Sequence, residues 1–196
     1  SSERAEVSKM IKVSGPAQSK VDRNDVRYQL LAKTHPRIAA KDATTWGVTA
    51  QAEAAIRLNW VDLDETSRPL LPQLDALAAK FRERTDLVLC GMGGSSLAPE
   101  VIAQTFKKRA FILDSTDPDY INRPLGGDPI NLLILVASKS GSTIETSSQR
   151  AFFEKYLSDA GFNPTEHMVF VTDPGSPLDQ DVRKAGFTFI NADPNV

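Results

Sequence analysis

Two short segments hold the residue types best suited to chemistry: Gly91-Met92-Gly93-Gly94-Ser95-Ser96 and Ser138-Lys139-Ser140-Gly141-Ser142-Thr143. Each follows a short apolar run and opens a stretch with helical spacing. Glycine lets the backbone approach a ligand closely, and the first N–H groups of a helix lack intrahelical acceptors. Ser and Thr hydroxyls donate, and Lys139 adds a positive charge. Two such loops converging on one point suit an anion, and a phosphorylated small molecule is the ligand class that this chemistry selects.

The elements that must position these loops are legible from Thr85 onward, where short apolar runs alternate with helical stretches, the pattern of βαβ units and a mostly parallel sheet. Strands are predicted at Leu87 to Cys90, Ala110 to Asp114, Leu132 to Ala137, Met168 to Thr172 and Phe187 to Ile190. Helices are predicted at Leu97 to Lys107, Thr143 to Asp159 and Leu178 to Lys184, with a shorter turn after Asp117-Pro118. Gly161 and Gly186 fall where helix ends favour positive φ, and Asp173-Pro174-Gly175 reads as a turn. The fold class is α/β: a three-layer, doubly wound, mostly parallel five-stranded sheet. If the strand order is the flavodoxin-like 2-1-3-4-5, the ligand crevice lies between the first and third strands, beyond their carboxyl ends. Those two strands precede the two Gly/Ser loops. The second and fourth end in Asp114-Ser115-Thr116-Asp117 and Thr172-Asp173-Pro174, acidic and poor company for a phosphate.

Residues 1–84 read differently, as an Ala-rich, charged helical segment leading into a domain of residues 85–196. Leu30, Leu31, Ile38, Ala39, Trp46 and Val48, then Ala52, Ala55, Ile56 and Leu58, suggest helices with one buried face. Pro36, Pro69 and Pro72 punctuate the pattern, Pro72 suiting the first turn of a helix through Leu74, Leu77, Ala78 and Phe81. The start, Ser1-Ser2-Glu3-Arg4, lacks an initiator Met and a following apolar core, so a processed or artificial beginning is expected rather than a signal peptide.

Several functions are disfavoured. With 196 residues, 41% hydrophobic, 24% charged and a formal net charge of -2, the chain has the composition of a soluble globular protein and no broad basic surface for nucleic acid. No apolar stretch approaches the roughly 20 residues of a membrane helix. The single Cys90 ends an apolar run and reads as a buried thiol, in keeping with a reducing, cytoplasmic compartment. Gly91 to Ser96 nearly matches the dinucleotide fingerprint, but Ser96 stands where the third Gly belongs, and no Gly-Lys-Ser/Thr follows to make a P-loop. His35 reads as a solvated helix end and His167 as a residue before a strand; neither has a metal-ligating cluster in sequence. No Gly-x-Ser-x-Gly elbow points to a serine hydrolase. Ser142 and Glu145 fit a Ser-x-x-Glu capping box, so Glu145 reads as a cap rather than a catalyst. Ala151, Phe152, Phe153 and Tyr156 read as core.

The two loops, with their flanks, resemble a known family. Gly91-Met-Gly-Gly-Ser-Ser-Leu-Ala-Pro99 is similar to Gly-Ile-Gly-Gly-Ser-x-Leu-Gly-Pro, and Ala137-Ser-Lys-Ser-Gly-Ser-Thr-Ile-Glu-Thr146 to Ala-Ser-Lys-Thr-x-Thr-Thr-x-Glu-Thr, of the sugar isomerase (SIS) fold and, within it, the glucose-6-phosphate isomerase family. The resemblance covers residues 85 to 196 well. It implies that Ser138, Lys139, Ser140 and Thr143 hold the phosphate of a hexose phosphate. Ser95, with the backbone at Gly94, would lie against the sugar phosphate from the other loop. It also implies interconversion of glucose 6-phosphate and fructose 6-phosphate through an enediol, with no metal or organic cofactor, in enzymes that are commonly dimers. Asn191-Ala-Asp-Pro-Asn-Val196 looks like the segment before the family's Gly-Gly-Arg motif. The family's enediolate-binding Arg, its Glu base and its ring-opening His and Lys lie beyond that point, so no catalytic residue is assigned and a truncated, inactive piece is expected. Two other readings stay open: a non-catalytic SIS module that senses a phosphosugar, and an interaction domain whose Ser-rich loops are ordinary helix caps. The sensor would need a basic DNA-recognition helix, whereas Lys20, Arg23, Arg27 and Lys33 are mixed with Asp22, Asn24 and Asp25.

Overall fold

The structure, a computed structural model, describes residues 14–16 and 20–196, so the start at Ser1 to Arg4 lies outside the described residues. The chain divides into two compact units, one up to Val61 and one spanning Asp62–Val196.

In the first unit, Asp25 caps α1 (Val26–Ala39) by accepting the Arg27 N–H at 2.8 Å. A 3-10 turn, Ala43–Trp46, and α2 (Val48–Arg57) follow. Two expectations are corrected here. Pro36 does not end a helix but lies inside α1, with His35 exposed beside it rather than at a helix end. A proline removes one N–H from the ladder, and on an exposed helix water can take the released carbonyl. The expected buried face is mostly exposed as well: Leu30, Leu31, Trp46, Val48 and Ile56 are 46% to 89% exposed, and of the residues named for it Leu58, just past α2, is buried. Periodicity creates an apolar stripe, but burial needs an element facing it, and among the described residues of α1 and α2 no side chain is buried.

The second unit opens with α3 (Leu63–Thr66), a 3-10 turn at Arg68–Leu70 that contains Pro69, and α4 (Leu71–Lys80) with Pro72 in its first turn. The sheet and its helices follow: β1 (Asp86–Gly91), α5 (Gly94–Thr105), β2 (Ala110–Leu113), α6 (Pro118–Ile121), β3 (Leu132–Ala137), α7 (Ile144–Asp159), β4 (Met168–Thr172), α8 (Pro177–Ala185) and β5 (Thr188–Asn191). All five strands are parallel in the order β2-β1-β3-β4-β5, the order anticipated above. Gly161 and Gly186 take φ of 83° and 77°, as the helix ends they follow require.

One face of the sheet is dry. Val88, Cys90, Ile134, Val136, Met168 and Phe170 pack with Phe153 and Leu157 of α7 and Leu178 and Val182 of α8. Fully burying a side chain of the Phe153 or Leu157 kind contributes about 1.5–3 kcal/mol. Burial pushes the Cys90 thiol up to about 12, which makes it a core residue rather than a nucleophile. On the other face, Leu74 and Leu77 of α4 and Phe81 just after it meet Leu87, Leu133, Leu135, Val169 and Ile190 around an apolar cavity of about 270 Å³. Gln149 of α7 ties helix to sheet by donating to the carbonyls of Leu113 at 3.2 Å and Ser115 at 2.9 Å, and within the sheet layer the buried His167 ring, just before β4, meets the Leu132 carbonyl of β3 at 3.0 Å. Desolvation holds the His167 imidazole below its usual value.

Candidate anion site at the sheet switch point

The register places the two loops side by side. Gly91, the last residue of β1, pairs with Ala137, the last residue of β3, so both chains leave the sheet at the same level on neighbouring strands. Adjacent strands lie about 4.8 Å apart, close enough for two turns to address one small ligand. Ala137 pairs in turn with Val171, which brings the end of β4 beside the second loop.

The first loop is tight. A Cβ on Gly91 would come within 3.0 Å of the Ser95 carbonyl oxygen, and Gly93 has a φ of 57°. Ser96 is buried and donates to the Gly93 carbonyl at 2.9 Å, which closes the turn and leaves Ser95 half-exposed at the surface of the crevice. In the second loop the buried Ser138 accepts the Gly141 N–H at 3.2 Å, so its own hydroxyl proton stays available to a ligand. Ser140 and Ser142 share one hydrogen bond at 2.7 Å, and Ser140 also accepts the Ser142 N–H at 3.2 Å. Gly141 takes a φ of 70° and presses on α8: a Cβ there would sit 2.4 Å from Leu178 Cβ.

The expected capping box does not form. The N-cap of α7 is Thr143, not Ser142, and it makes no side-chain bond to the helix, while the Ser142 hydroxyl is engaged with Ser140. The helix that follows β1 is alike: α5 starts after Gly93 with no side-chain cap. The helices after β2 and β4 differ. Asp117 caps α6 through the N–H groups of Asp119 and Tyr120, and Ser176 caps α8 through that of Asp179. Terminal N–H groups need an acceptor. Neither switch-point helix has a side-chain acceptor: in α5 the Ser95 and Ser96 N–H groups turn to the Met92 and Gly93 carbonyls, at 3.2 and 3.0 Å, whereas α7 has no side-chain cap, and the positive ends of both helices favour an anion.

Of the residues singled out in the sequence, Ser95, Ser138 and Lys139 line one cavity of about 300 Å³, together with Ala137, Thr172, Asp173, Asp193 and Val196. Lys139 donates from Nζ to the Val196 carbonyl. Gly94, Ser140 and Thr143, also expected at the site, do not line this cavity: Gly94 is the first residue of α5, Ser140 is exposed in its turn and Thr143 is half-exposed just before α7. A second cavity, of about 380 Å³ and lined by Gly141, Thr146, Arg150 and Leu178, shares Ser138 with the first. Sequence reasoning missed two contributions. Leu63, Thr66, Ser67 and Leu70 form part of the cavity wall, and no motif marks them. The end of β4 reaches the same cavity, although its acidic residues set it apart in the sequence reading; strand register, which no local motif reports, brings it there.

A doubly wound parallel sheet of order 2-1-3-4-5, with Gly/Ser turns entering uncapped helices at its switch point, is the sugar isomerase type of α/β domain. The particular likeness is to glucose-6-phosphate isomerases, so the family resemblance read from the two motifs is borne out. The chain is 36% identical over 138 residues to the glucose-6-phosphate isomerase of Cyanothece sp., an alignment that takes in 61% of this chain and 26% of that one. It is 34% identical over 154 residues to that of Thermus thermophilus, over 74% of this chain and 34% of the relative. The crystal structure of a glucose-6-phosphate isomerase from Chlamydia trachomatis superposes with a TM-score of 0.59 at 26% identity, covering 81% of this chain and 31% of that one. The crystal structure of a hypothetical protein from Thermus thermophilus superposes with a TM-score of 0.71 at 30% identity, over 86% of this chain and 40% of that one. No protein-family model matches the chain. The chain thus spans about a quarter to a third of the length of these curated relatives. Among the described residues, no helix is long and apolar enough to cross a membrane.

Proposed function

We propose that this chain supplies the sugar-phosphate-holding part of a glucose-6-phosphate isomerase, an aldose-ketose isomerase of glycolysis and gluconeogenesis. In this reading residues 85–196 are the sugar-phosphate-binding domain and the helical residues 1–84 lead into it. The observation that carries it is the pair of helices without side-chain caps, α5 and α7, opening side by side beyond Gly91 and Ala137 next to Lys139. A phosphate dianion there would take the N–H groups at the start of α7, hydroxyl protons of Ser138, Ser140 and Thr143, and the charge of Lys139. Charge-assisted bonds of this kind are about twice as strong as neutral ones. Ser95 and the Gly94 backbone would approach the sugar from the other loop.

Aldose-ketose interconversion needs ring opening and then proton transfer between C1 and C2 through an enediol. A base for that transfer must lie within hydrogen-bond reach of the carbon-bound proton and have a suitable pKa. By the resemblance read from the motifs, that base would lie beyond Val196, and the acids that line this cavity, Asp173 and Asp193, belong to its β4–β5 side. The division of labour is therefore binding here and proton transfer by the rest of the enzyme. A coupled assay on the complete gene product should show interconversion of glucose 6-phosphate and fructose 6-phosphate, while the 196-residue chain alone binds both and turns over neither. No isomerisation by the complete product would refute the enzyme reading; strong turnover by the 196 residues would refute the division of labour.

A further inference from the structure

The peptide that carries Lys139 is held from outside its own loop. Its carbonyl accepts two hydrogen bonds, from the Asp173 N–H at 3.1 Å and the Thr172 hydroxyl at 3.2 Å, which occupies both lone pairs. Thr172 Oγ1 also lies 2.9 Å from Ser176 Oγ, and Ser176 Oγ accepts the Asp179 N–H at 3.0 Å. A hydroxyl has one proton to give. Thr172 gives its proton to Lys139, so the proton between Thr172 and Ser176 must come from Ser176. The direction then runs from the Asp179 N–H to Ser176, from Ser176 to Thr172, and from Thr172 to the Lys139 carbonyl. Bonds aligned in one sense polarise and strengthen one another.

Both ends of this relay are fixed. Thr172 is 1% exposed at the end of β4, and the Asp179 carboxylate is buried among the Gly175 N–H, Arg183 and Asn191, each at 2.9 Å. In a planar trans peptide the C=O and N–H point in opposite directions. Turning the Lys139 carbonyl toward β4 therefore turns the Ser140 N–H away from β4. That carbonyl is bonded to the Lys139 Cα, so the same constraint limits the directions open to the Lys139 side chain.

We propose that Thr172 is a positioning residue for the anion loop: the hydroxyl relay from the start of α8 sets the Lys139–Ser140 peptide, and with it the aim of the Lys139 ammonium and the Ser140 N–H at the ligand's phosphate. The effect on phosphate binding rests on the sugar-phosphate reading above; the setting of the peptide does not. Nothing in the sequence marks Thr172 for this work, because its partner lies 33 residues away, beyond the end of the neighbouring strand.

The test compares the 196-residue chain with its Thr172→Val and Thr172→Ser variants by calorimetric titration with glucose 6-phosphate and by hydrogen exchange of the amides of residues 139–143. Valine keeps the branched shape without the hydroxyl, and serine keeps the hydroxyl. The relay predicts that Thr172→Val weakens glucose 6-phosphate binding about threefold to tenfold and speeds exchange in the loop, with Thr172→Ser restoring both. Unchanged affinity and exchange in Thr172→Val would overturn the inference and leave the ligand reading intact. If the unaltered chain does not bind glucose 6-phosphate, the ligand reading fails, and exchange alone decides the positioning role. Faster exchange in Thr172→Val that Thr172→Ser reverses upholds it, and equal exchange in all three chains overturns it.

Discussion

Lys139 carries the main electrostatic argument. It sits between the buried Ser138 and the exposed Ser140 and lines the same cavity as Ser95. Lys139→Ala should therefore cost about 1.5–3 kcal/mol of affinity for glucose 6-phosphate, the range for a hydrogen bond to a charged group. Affinity for unphosphorylated glucose should not change, which side-by-side titrations of the two chains would establish. The residue types of this loop were readable from sequence, since Gly, Ser and Lys after an apolar run have a direct physical meaning. Their division of labour was not. Ser142 fits a capping box by spacing, yet its hydroxyl turns back to Ser140, and only the three-dimensional course of the turn decides between those partners.

At the scale of elements, β3 and β4 fall where the apolar runs place them, and β5 begins one residue later than its aromatic residues suggest. Parallel strands buried in a doubly wound sheet read as near-continuous apolar runs, which is why they were legible. The helices of the first unit were legible as helices but not as exposed ones, because periodicity reports a stripe and not what faces it. Two predictions belong to α8, the helix that supports the anion loop. Gly141→Ala would place a methyl group against Leu178 at a φ of 70°, and a strained site of this kind costs about 1–3 kcal/mol. The urea midpoint should fall accordingly. The second concerns acid. Hydrogen bonds from Arg183, then Asn191 and the Gly175 N–H, hold the Asp179 carboxyl down from 3.8 to about 2. Because the folded value is the lower one, this anchoring is fully present above pH 3.8 and is lost as pH falls from 3.8 toward 2. Urea midpoints measured across that window should drop more steeply for the natural chain than for Asp179→Asn; parallel curves would contradict the assignment.

At the scale of the whole molecule, the sheet-bearing unit runs from Asp62 to Val196 and contains every residue of the candidate site. Its strand order alone makes the space between β1 and β3 the place for a ligand. The helices after β1 and β3 lack side-chain caps where those after β2 and β4 have them, and it is on this difference, together with the strand order, that the anion proposal rests. The part of the site that sequence did not reveal, the wall from Leu63 to Leu70 and the end of β4, is assembled by contacts far apart along the chain. Calorimetric titration of the 196-residue chain with glucose 6-phosphate and, separately, with unphosphorylated glucose tests the central claim most directly. The account predicts saturable binding of the phosphorylated sugar that weakens with added salt, and no measurable binding of glucose. Equal affinity for the two sugars, or no binding of either, would contradict it.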